Sequence, residues 1–510
     1  MKILLISPSY FYPPNARELS LSLPLGPMYI AAVLERETDF SVSIFDCRIS
    51  NGTKIKDNSN GVYHGVSDNY FKSIIEEESP DVVGITCMFS SQFDNSLHSA
   101  KLVKEVDSNI FIVGGGPHFS VEKENFLLDN PVFDCFITGE GEVPMMELVQ
   151  ALQTKSSFDN IKGIAYKSMS SNGQSIVLKN EHELQRNMDW IPLPAYHLID
   201  MNLFFEFQKQ GLTSRGGESN KRTVSMITSR GCPFNCTFCS IALHMGKPVR
   251  NHVSNDVVSH IEYVVNKYGV EHLLFEDDAL TFRPARTKEI CEGIVKTGIE
   301  ITWETPNGVR ADTLDVELLT SMKNSGCISL TIGTESGDQD TLDNIVRKDL
   351  KLETVIEVSK MCKELGISLS SFYIIGFPGE TIEKMQNTIN FATMLYDKYD
   401  VHPQLNIATP LIGTKMYDDV MKDNLLAAEL TPHNMSIATS PISGSALIST
   451  PEFSPDDVKD LSKILYNQIN KLRIKKALTS YKTFIYFLKM AISQPQRIPI
   501  VIKKSLLSLG

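Results

Sequence analysis

Apolar positions along the chain fall into two alternating regimes. Short apolar runs at residues 2–7, 41–46, 81–87, 110–114 and 134–138 are separated by segments at 26–35, 69–78, 93–106 and 143–152. In those segments apolar residues return every three or four positions, as Met28, Ile30, Ala31 and Leu34 do. The first kind of run predicts a buried strand and the second an amphipathic helix. Their alternation over residues 1–150 predicts an α/β domain built on a doubly wound, Rossmann-like parallel sheet. The pattern resumes over residues 221–425. Runs at 223–228, 272–276, 299–304, 328–333, 368–374 and 404–409 alternate with helical segments at 255–268, 284–297, 313–324, 352–365 and 381–399. Six such units predict a partial (β/α)6 barrel, whose chemistry would sit at the C-terminal ends of its strands.

Residues 151–220 are less regular and read as a linker. A small hairpin is expected from 164–166 and 175–178. Pro192 and Pro194 exclude regular helix around them, and the polar, Gly-rich stretch 211–220 reads as a flexible loop. Residues 426–510 read as a helical C-terminal region. From Lys471 onward there are nine Lys or Arg and no Asp or Glu. Tyr481, Phe484, Ile485, Phe487, Leu488 and Ile492 add an apolar face before Pro495 and Pro499 end the helix. Such a helix either packs its apolar face on the barrel or lies on an anionic membrane surface, which would suit a lipid-like substrate.

The 510 residues carry a net charge of −12, which argues against nucleic acid as the partner. No uninterrupted apolar run is long enough to span a bilayer. The apolar start, Ile3 to Ile6, is cut off by Ser7, Pro8 and Ser9, too early for a secretory leader. The expectation is a cytoplasmic protein, peripheral to a membrane at most. Nine Cys, an odd number, argue against a disulfide framework. Cys47, Cys87, Cys135, Cys291, Cys327 and Cys362 sit among apolar neighbours and read as buried thiols.

The other three cysteines lie in Ser229-Arg230-Gly231-Cys232-Pro233-Phe234-Asn235-Cys236-Thr237-Phe238-Cys239. This C-x3-C-x2-C loop directly follows the first predicted barrel strand. A four-iron cubane ordinarily takes four thiolates. Three would leave one iron open, and an open coordination position marks a catalytic rather than a structural metal. A zinc site would need a fourth ligand, for which His244 or His252 is available.

The loop, with Phe238 before its third Cys, resembles the signature of the radical S-adenosylmethionine (SAM) enzymes. The resemblance implies a 4Fe-4S cluster on Cys232, Cys236 and Cys239, whose open iron chelates SAM and whose reduction yields a 5′-deoxyadenosyl radical. Strand-end motifs fall in register with that family: Glu276-Asp277-Asp278, Asn307 to Arg310, Gly333 to Gly337, Gly376 to Thr381 and Pro410 to Thr414. Phe238, Glu276, Asp277, Asp278, Arg310 and Glu335 are the implied SAM contacts. The acids also have a physical reading, because an ammonium in a half-closed site calls for charge-assisted partners.

A doubly wound sheet binds ligands beyond the carboxyl ends of its strands. With a radical SAM barrel behind it, and Leu193-Pro194-Ala195-Tyr196 between, the N-terminal sheet resembles the cobalamin-binding class of that family over about residues 1–425. The implied cobalamin contacts are Ser7, Ser9, Asp46, Thr86, Ser90, Ser91, Gly114, Gly115, Gly116, Gly139 and Gly141. The chain lacks the D-x-H-x-x-G motif that places a His on cobalt. His64, His98 and His118 read as surface or loop residues, so cobalamin is expected base-off with no protein His ligand. A methylthiotransferase would use Cys47, Cys87 and Cys135 for a second cluster, but the glycine loops fit cobalamin better. The resemblance implies a C-methyltransferase acting through methylcobalamin and the deoxyadenosyl radical, served by a flavodoxin or ferredoxin. The alternatives are a non-methylating cyclisation, rearrangement or oxidation, and a cobalamin-binding module without catalysis.

Overall fold

A computed structural model describes residues 1–13, 19–58, 61–123, 125–169, 175–212, 221–438 and 444–479. The N-terminal sheet has seven strands in the order Ser175–Lys179, Ile164–Met169, Cys135–Ile137, Phe111–Gly115, Val82–Thr86, Lys2–Ser7 and Ser41–Asp46. The last five of these are parallel. Counted along the chain their order is 2-1-3-4-5, the flavodoxin-like doubly wound arrangement, which places its topological switch point between Lys2–Ser7 and Val82–Thr86. Helices Leu25–Glu37 and Glu142–Thr154 cover one face, and Asp68–Glu78 and Phe93–Val106 the other.

The hairpin expected in the linker joins this sheet instead. Strand Ile164–Met169 pairs antiparallel with Cys135–Ile137, and Ser175–Lys179 pairs with it in turn. An exposed parallel edge is thereby covered. Residues beyond the hairpin are not a loose connector either. Helix Met201–Lys209 buries Phe204 and Phe205, and Met188, Ile191 and Tyr196 join the largest core, which runs from Met28 and Tyr29 into the barrel strands. The glycine-rich stretch 213–220 lies outside the described residues. A small antiparallel sheet of Tyr10–Tyr12, Gly61–Gly65 and Lys54–Asn58 was not legible in the sequence, because its strand Lys54–Asn58 is polar apart from Ile55.

The second sheet has six parallel strands in chain order: Thr223–Met226, His272–Phe275, Thr302–Val309, Cys327–Glu335, Ser368–Ile375 and His402–Ile407. The first and sixth do not pair, so this is the partial barrel. The third strand starts later and runs further than its apolar run, since a register shift between Thr305 and Val309 takes up Pro306, Asn307 and Gly308. Helix Pro455–Thr479 packs along helix Ile382–Tyr399. Thr393 Oγ1 donates to Gln468 Oε1 at 2.7 Å, and Lys476 Nζ reaches Tyr396 O and Asp400 Oδ1, both at 2.6 Å. Thus Lys476, in the basic stretch, sits against the barrel. The apolar face from Tyr481 to Ile492 lies outside the described residues. Among the described residues no helix is long and apolar enough to cross a membrane.

The sheet's carboxyl ends face the barrel mouth. Helix Pro117–Val121 meets the turn of helix Ile241–His244 that follows the cysteine loop. The turn Ser90–Gln92 meets helix Pro432–Ala438.

Candidate active site

The cysteine loop leaves the barrel through a two-residue pair, Ser229–Arg230 against Arg250–Asn251. Gly231 follows at φ +91°, and a Cβ there would stand 2.3 Å from Pro248 O. Only glycine fits so close an approach. Cys232 N donates to Gly246 O at 3.1 Å, and Cys239 N to Cys236 O at 3.2 Å. Thr237 ties the loop's far side down: its N donates to Val346 O at 3.0 Å and its Oγ1 to Ile345 O at 2.8 Å. Those carbonyls belong to a π-helical turn, Thr341–Val346, a geometry common at functional sites.

Cys232, Cys236 and Cys239 are half-exposed, whereas the other six cysteines are buried. Burial raises all three thiols, Cys239 to about 12, while the cations Lys348 and Arg310 pull Cys232 and Cys236 the other way. Among the described residues no three His, Cys, Asp or Glu side chains converge on one ion. A cubane does not ask for that convergence, because each thiolate binds its own iron. His244 is turned to Ser240 O at 3.1 Å, and His252 has Asp189 at 3.8 Å. Cys47 and Cys87 belong to the core on one face of the N-terminal sheet and Cys135 to the core on the other, so they form no second triad.

The strand-end polar groups divide into two kinds. Asp277 is structural: it accepts from Thr228 N, from Thr228 Oγ1 at 2.7 Å and from Ser229 Oγ at 2.5 Å, all in the lead-in to the cysteine loop. Arg310 is likewise engaged. It forks onto Asp312, donates to Lys348 O at 2.9 Å and Asp349 O at 3.1 Å, and stacks on Phe234 at 3.8 Å. Glu276 accepts from Ser225 Oγ at 3.1 Å. Phe238 packs on Phe377. Asp278 makes no hydrogen bond among the described residues, and burial, with Asp277 and Glu276 beside it, raises its carboxyl to about 7. Glu335 ends its strand at φ +67°, a conformation rare for a residue with a side chain, and pairs with Lys348 at 2.7 Å. A Cβ at Gly333 would collide with both partners.

At the N-terminal domain's strand ends, the glycines differ from one another. A Cβ on Gly115 would meet nothing within 4 Å, so this strand end opens onto free space. Gly114 is filled by Phe119, and Gly116, at φ +103°, approaches Cys87 O. Gly139 lies against His182 and Gly141 against Ile30, so neither presents open backbone to a ligand. Asp46 is held by Arg48, which reaches both its oxygens, Ser7 Oγ at 3.4 Å and the face of Tyr10. Ser9 is buried, while Thr86, Ser90 and Ser91 are half-buried beside exposed Met88 and Phe89. His64 and His118 are not surface residues: both are buried, and among the described residues neither nitrogen of His64 has a hydrogen-bond partner. His118 Nδ1 meets Ser90 Oγ at 2.9 Å. His98 is exposed and pairs with Asp68.

One buried network joins the two domains at the loop's neck. Glu140 lies 2.9 Å from Arg230 and 2.6 Å from Arg250, and Glu142 lies 2.6 Å from Arg230.

Residues 226–392 match the Radical SAM superfamily and residues 20–149 the B12 binding domain. Over 428 residues the chain is 32% identical to an uncharacterized methyltransferase of Pyrococcus horikoshii, covering 84% of each chain. The chain belongs to the cobalamin-binding radical SAM family.

This radical SAM enzyme is also 29% identical over 442 residues to cytidylyl-2-hydroxyethylphosphonate methyltransferase of Streptomyces wedmorensis, covering 81% of this chain and 80% of that one. Its fold is similar to the radical SAM methyltransferase TsrM of Kitasatospora setae, solved with cobalamin and a [4Fe-4S] cluster bound. The TM-score is 0.67 at 15% identity, over 92% of this chain and 90% of that one. Three charged groups at the strand ends of the two domains escaped sequence reasoning: Lys348, Arg48 and Glu140. Lys348 follows a turn rather than a strand and carried no motif. Arg48 lies two residues past Asp46, a spacing at which one side chain can fold back on the other. Glu140 sat inside a glycine pattern that drew attention to its neighbours.

Proposed function

We propose that the protein is a cobalamin-dependent radical SAM C-methyltransferase acting on an unactivated carbon of a small-molecule or lipid-like substrate. The observation that carries this reading is the facing of two loop sets, three half-exposed thiols at the barrel mouth and the open strand ends around Gly115. When bound, the cluster, SAM and cobalamin supply reductive radical generation and a methyl carrier. Cys232, Cys236 and Cys239 would ligate three irons. Asp278 and Glu276 would accept hydrogen bonds from the SAM ammonium, and Lys348 offers a cation to its carboxylate. Arg310, through the Lys348 and Asp349 carbonyls, holds that lysine's backbone in place.

Thr86, Ser90, Ser91 and Gly115, beside the switch point, would receive cobalamin. The enclosure of His64 and His118 supports a cobalt without a protein imidazole. An acidic flavodoxin- or ferredoxin-type donor would supply electrons. Asp46, Gly139 and Gly141 are left out of this contact set because their partners lie within the chain.

The test is anaerobic turnover of reconstituted full-length protein with SAM, cobalamin and a reductant, beside Cys236→Ala. The reading expects 5′-deoxyadenosine from wild type alone and a product heavier by one methylene. Deoxyadenosine with an isomeric, cyclised or oxidised product favours the non-methylating alternative. A wild-type protein that holds no iron and forms no deoxyadenosine overturns both.

A further inference from the structure

Arg230 and Arg250 stand directly opposite each other where two short strands close the neck of the cysteine loop. Like charges in that position repel. Here the repulsion is aggravated by burial, since the two arginines are only 5% and 7% exposed. Among the described residues no barrel carboxylate pairs with either of them. Their carboxylate comes from the neighbouring domain, on the loop after strand Cys135–Ile137. Glu140 Oε1 meets Arg230 Nη1 at 2.9 Å, and Glu140 Oε2 meets Arg250 Nη1 at 2.6 Å and accepts from Gln185 N at 2.9 Å. Glu142 takes the remaining Nη of Arg230. Arg250 also donates to Met245 O at 2.7 Å and Gln185 O at 2.8 Å.

A displacement of Arg230 has nowhere to dissipate before it reaches Cys232. Only Gly231 lies between, and its left-handed backbone is packed under Pro248 O. Two arginines and two glutamates also leave the network without net charge, so all four can be desolvated together. Removing one carboxylate strands a buried guanidinium, a strongly unfavourable state.

We propose that Glu140 is a positioning residue: it holds the neck of the cysteine loop shut from the neighbouring domain, so that cluster retention depends on that domain's docking. The proposal rests on the cluster reading of Cys232, Cys236 and Cys239.

The test follows cluster loss from anaerobically reconstituted full-length protein, as bleaching of its iron–sulfur absorbance under a chelator. Glu140→Gln keeps the shape and removes the charge. It should lose the cluster at least about tenfold faster than wild type, because both buried guanidiniums lose a partner. Arg250→Gln should act in the same direction, and adding it to Glu140→Gln should bring little further change. Val358→Ala removes two methyl groups from the buried face of helix Leu352–Leu365, which packs on strand Ser368–Ile375, away from the neck. It should lower thermal stability while leaving the rate of cluster loss unchanged, which separates positioning from general destabilisation. Folded Glu140→Gln protein that bleaches at the wild-type rate overturns the proposal. If that variant does not fold, Arg250→Gln with a wild-type rate overturns it equally. Wild-type protein that takes up no iron fails the cluster reading instead.

Discussion

Lys348 Nζ lies 2.7 Å from Glu335 Oε1, with both side chains less than a tenth exposed and both close enough to Cys236 to bias its thiol in opposite directions. The pair is held over the strand end by two unusual local features, the left-handed backbone at Glu335 and the missing side chain at Gly333. Strain of this kind persists where the surroundings over-determine it, and it concentrates at functional sites. Lys348→Met should leave Glu335 buried and unpaired, at a cost of about 3–5 kcal/mol in denaturant unfolding. SAM affinity, measured by titration of the reconstituted protein, should fall with it. Unchanged stability would show that the pair is not desolvated as described.

Asp277 and Asp278 are neighbours with opposite expected behaviour. Asp277→Asn disrupts the acceptor set that fixes Thr228 and Ser229, so the thermal midpoint should drop and the cysteine loop loosen. Asp278→Asn removes a carboxylate that burial and two adjacent acids raise to about 7. The folded pKa exceeds the unfolded one, so this carboxyl erodes stability as pH rises from about 4 through 7. At pH 8 the Asn variant should therefore be more stable than wild type, on the order of 2 kcal/mol after discounting for partial exposure. Its affinity for SAM should be lower. Parallel unfolding and SAM-titration curves for the two variants distinguish the roles.

Gly115 and Gly116 separate ligand space from fold. A Cβ at Gly115 meets nothing within the chain, so Gly115→Ala should leave the thermal midpoint near wild type while weakening cobalamin binding, read from the corrin absorbance. Gly116→Ala forces a side chain into a left-handed conformation against Cys87 O, so it should destabilise by about 1 kcal/mol or more whether or not cobalamin is present. If Gly115→Ala binds cobalamin as wild type does, the open strand end is not where the cofactor lies.

Strand and helix periodicity made both sheets legible, because most of the central strands are short apolar runs between helical segments. The three-cysteine loop was legible because its chemistry is carried by spacing alone. What sequence pattern could not reveal is pairing across domains. Nothing local distinguishes Glu140 from an ordinary exposed acid. Its partners, Arg230 and Arg250, become visible only once the backbone brings them together. The two arginines of the neck show this most plainly, since side by side they read as a fault until the third group arrives.

Burial lowers four histidines: His64, His118 and His252 to about 4 and His260 to about 3. Charged neighbours modify this only secondarily, with Arg48 and Asp46 near His64 and Arg230 and Asp189 near His252. His260 also meets Tyr196 OH at 3.0 Å. Because the folded pKa lies below the unfolded value of about 6.5, the unfolded chain binds the extra protons. Stability is therefore complete above pH 6.5 and is lost as pH falls toward 4. Each histidine should contribute a loss of about 2 kcal/mol by pH 5. The lowered carboxylates, such as Asp400 and Asp457, titrate below this window, while the raised ones, Asp278 at about 7 and Glu380 at about 8, act in the opposite sense within it and offset part of the histidine loss. Chemical denaturation at pH 7 and pH 5 should show a fall of several kcal/mol, and His260→Phe should make the fall shallower. A flat profile across that interval would mean that these imidazoles gain protons without leaving their buried positions.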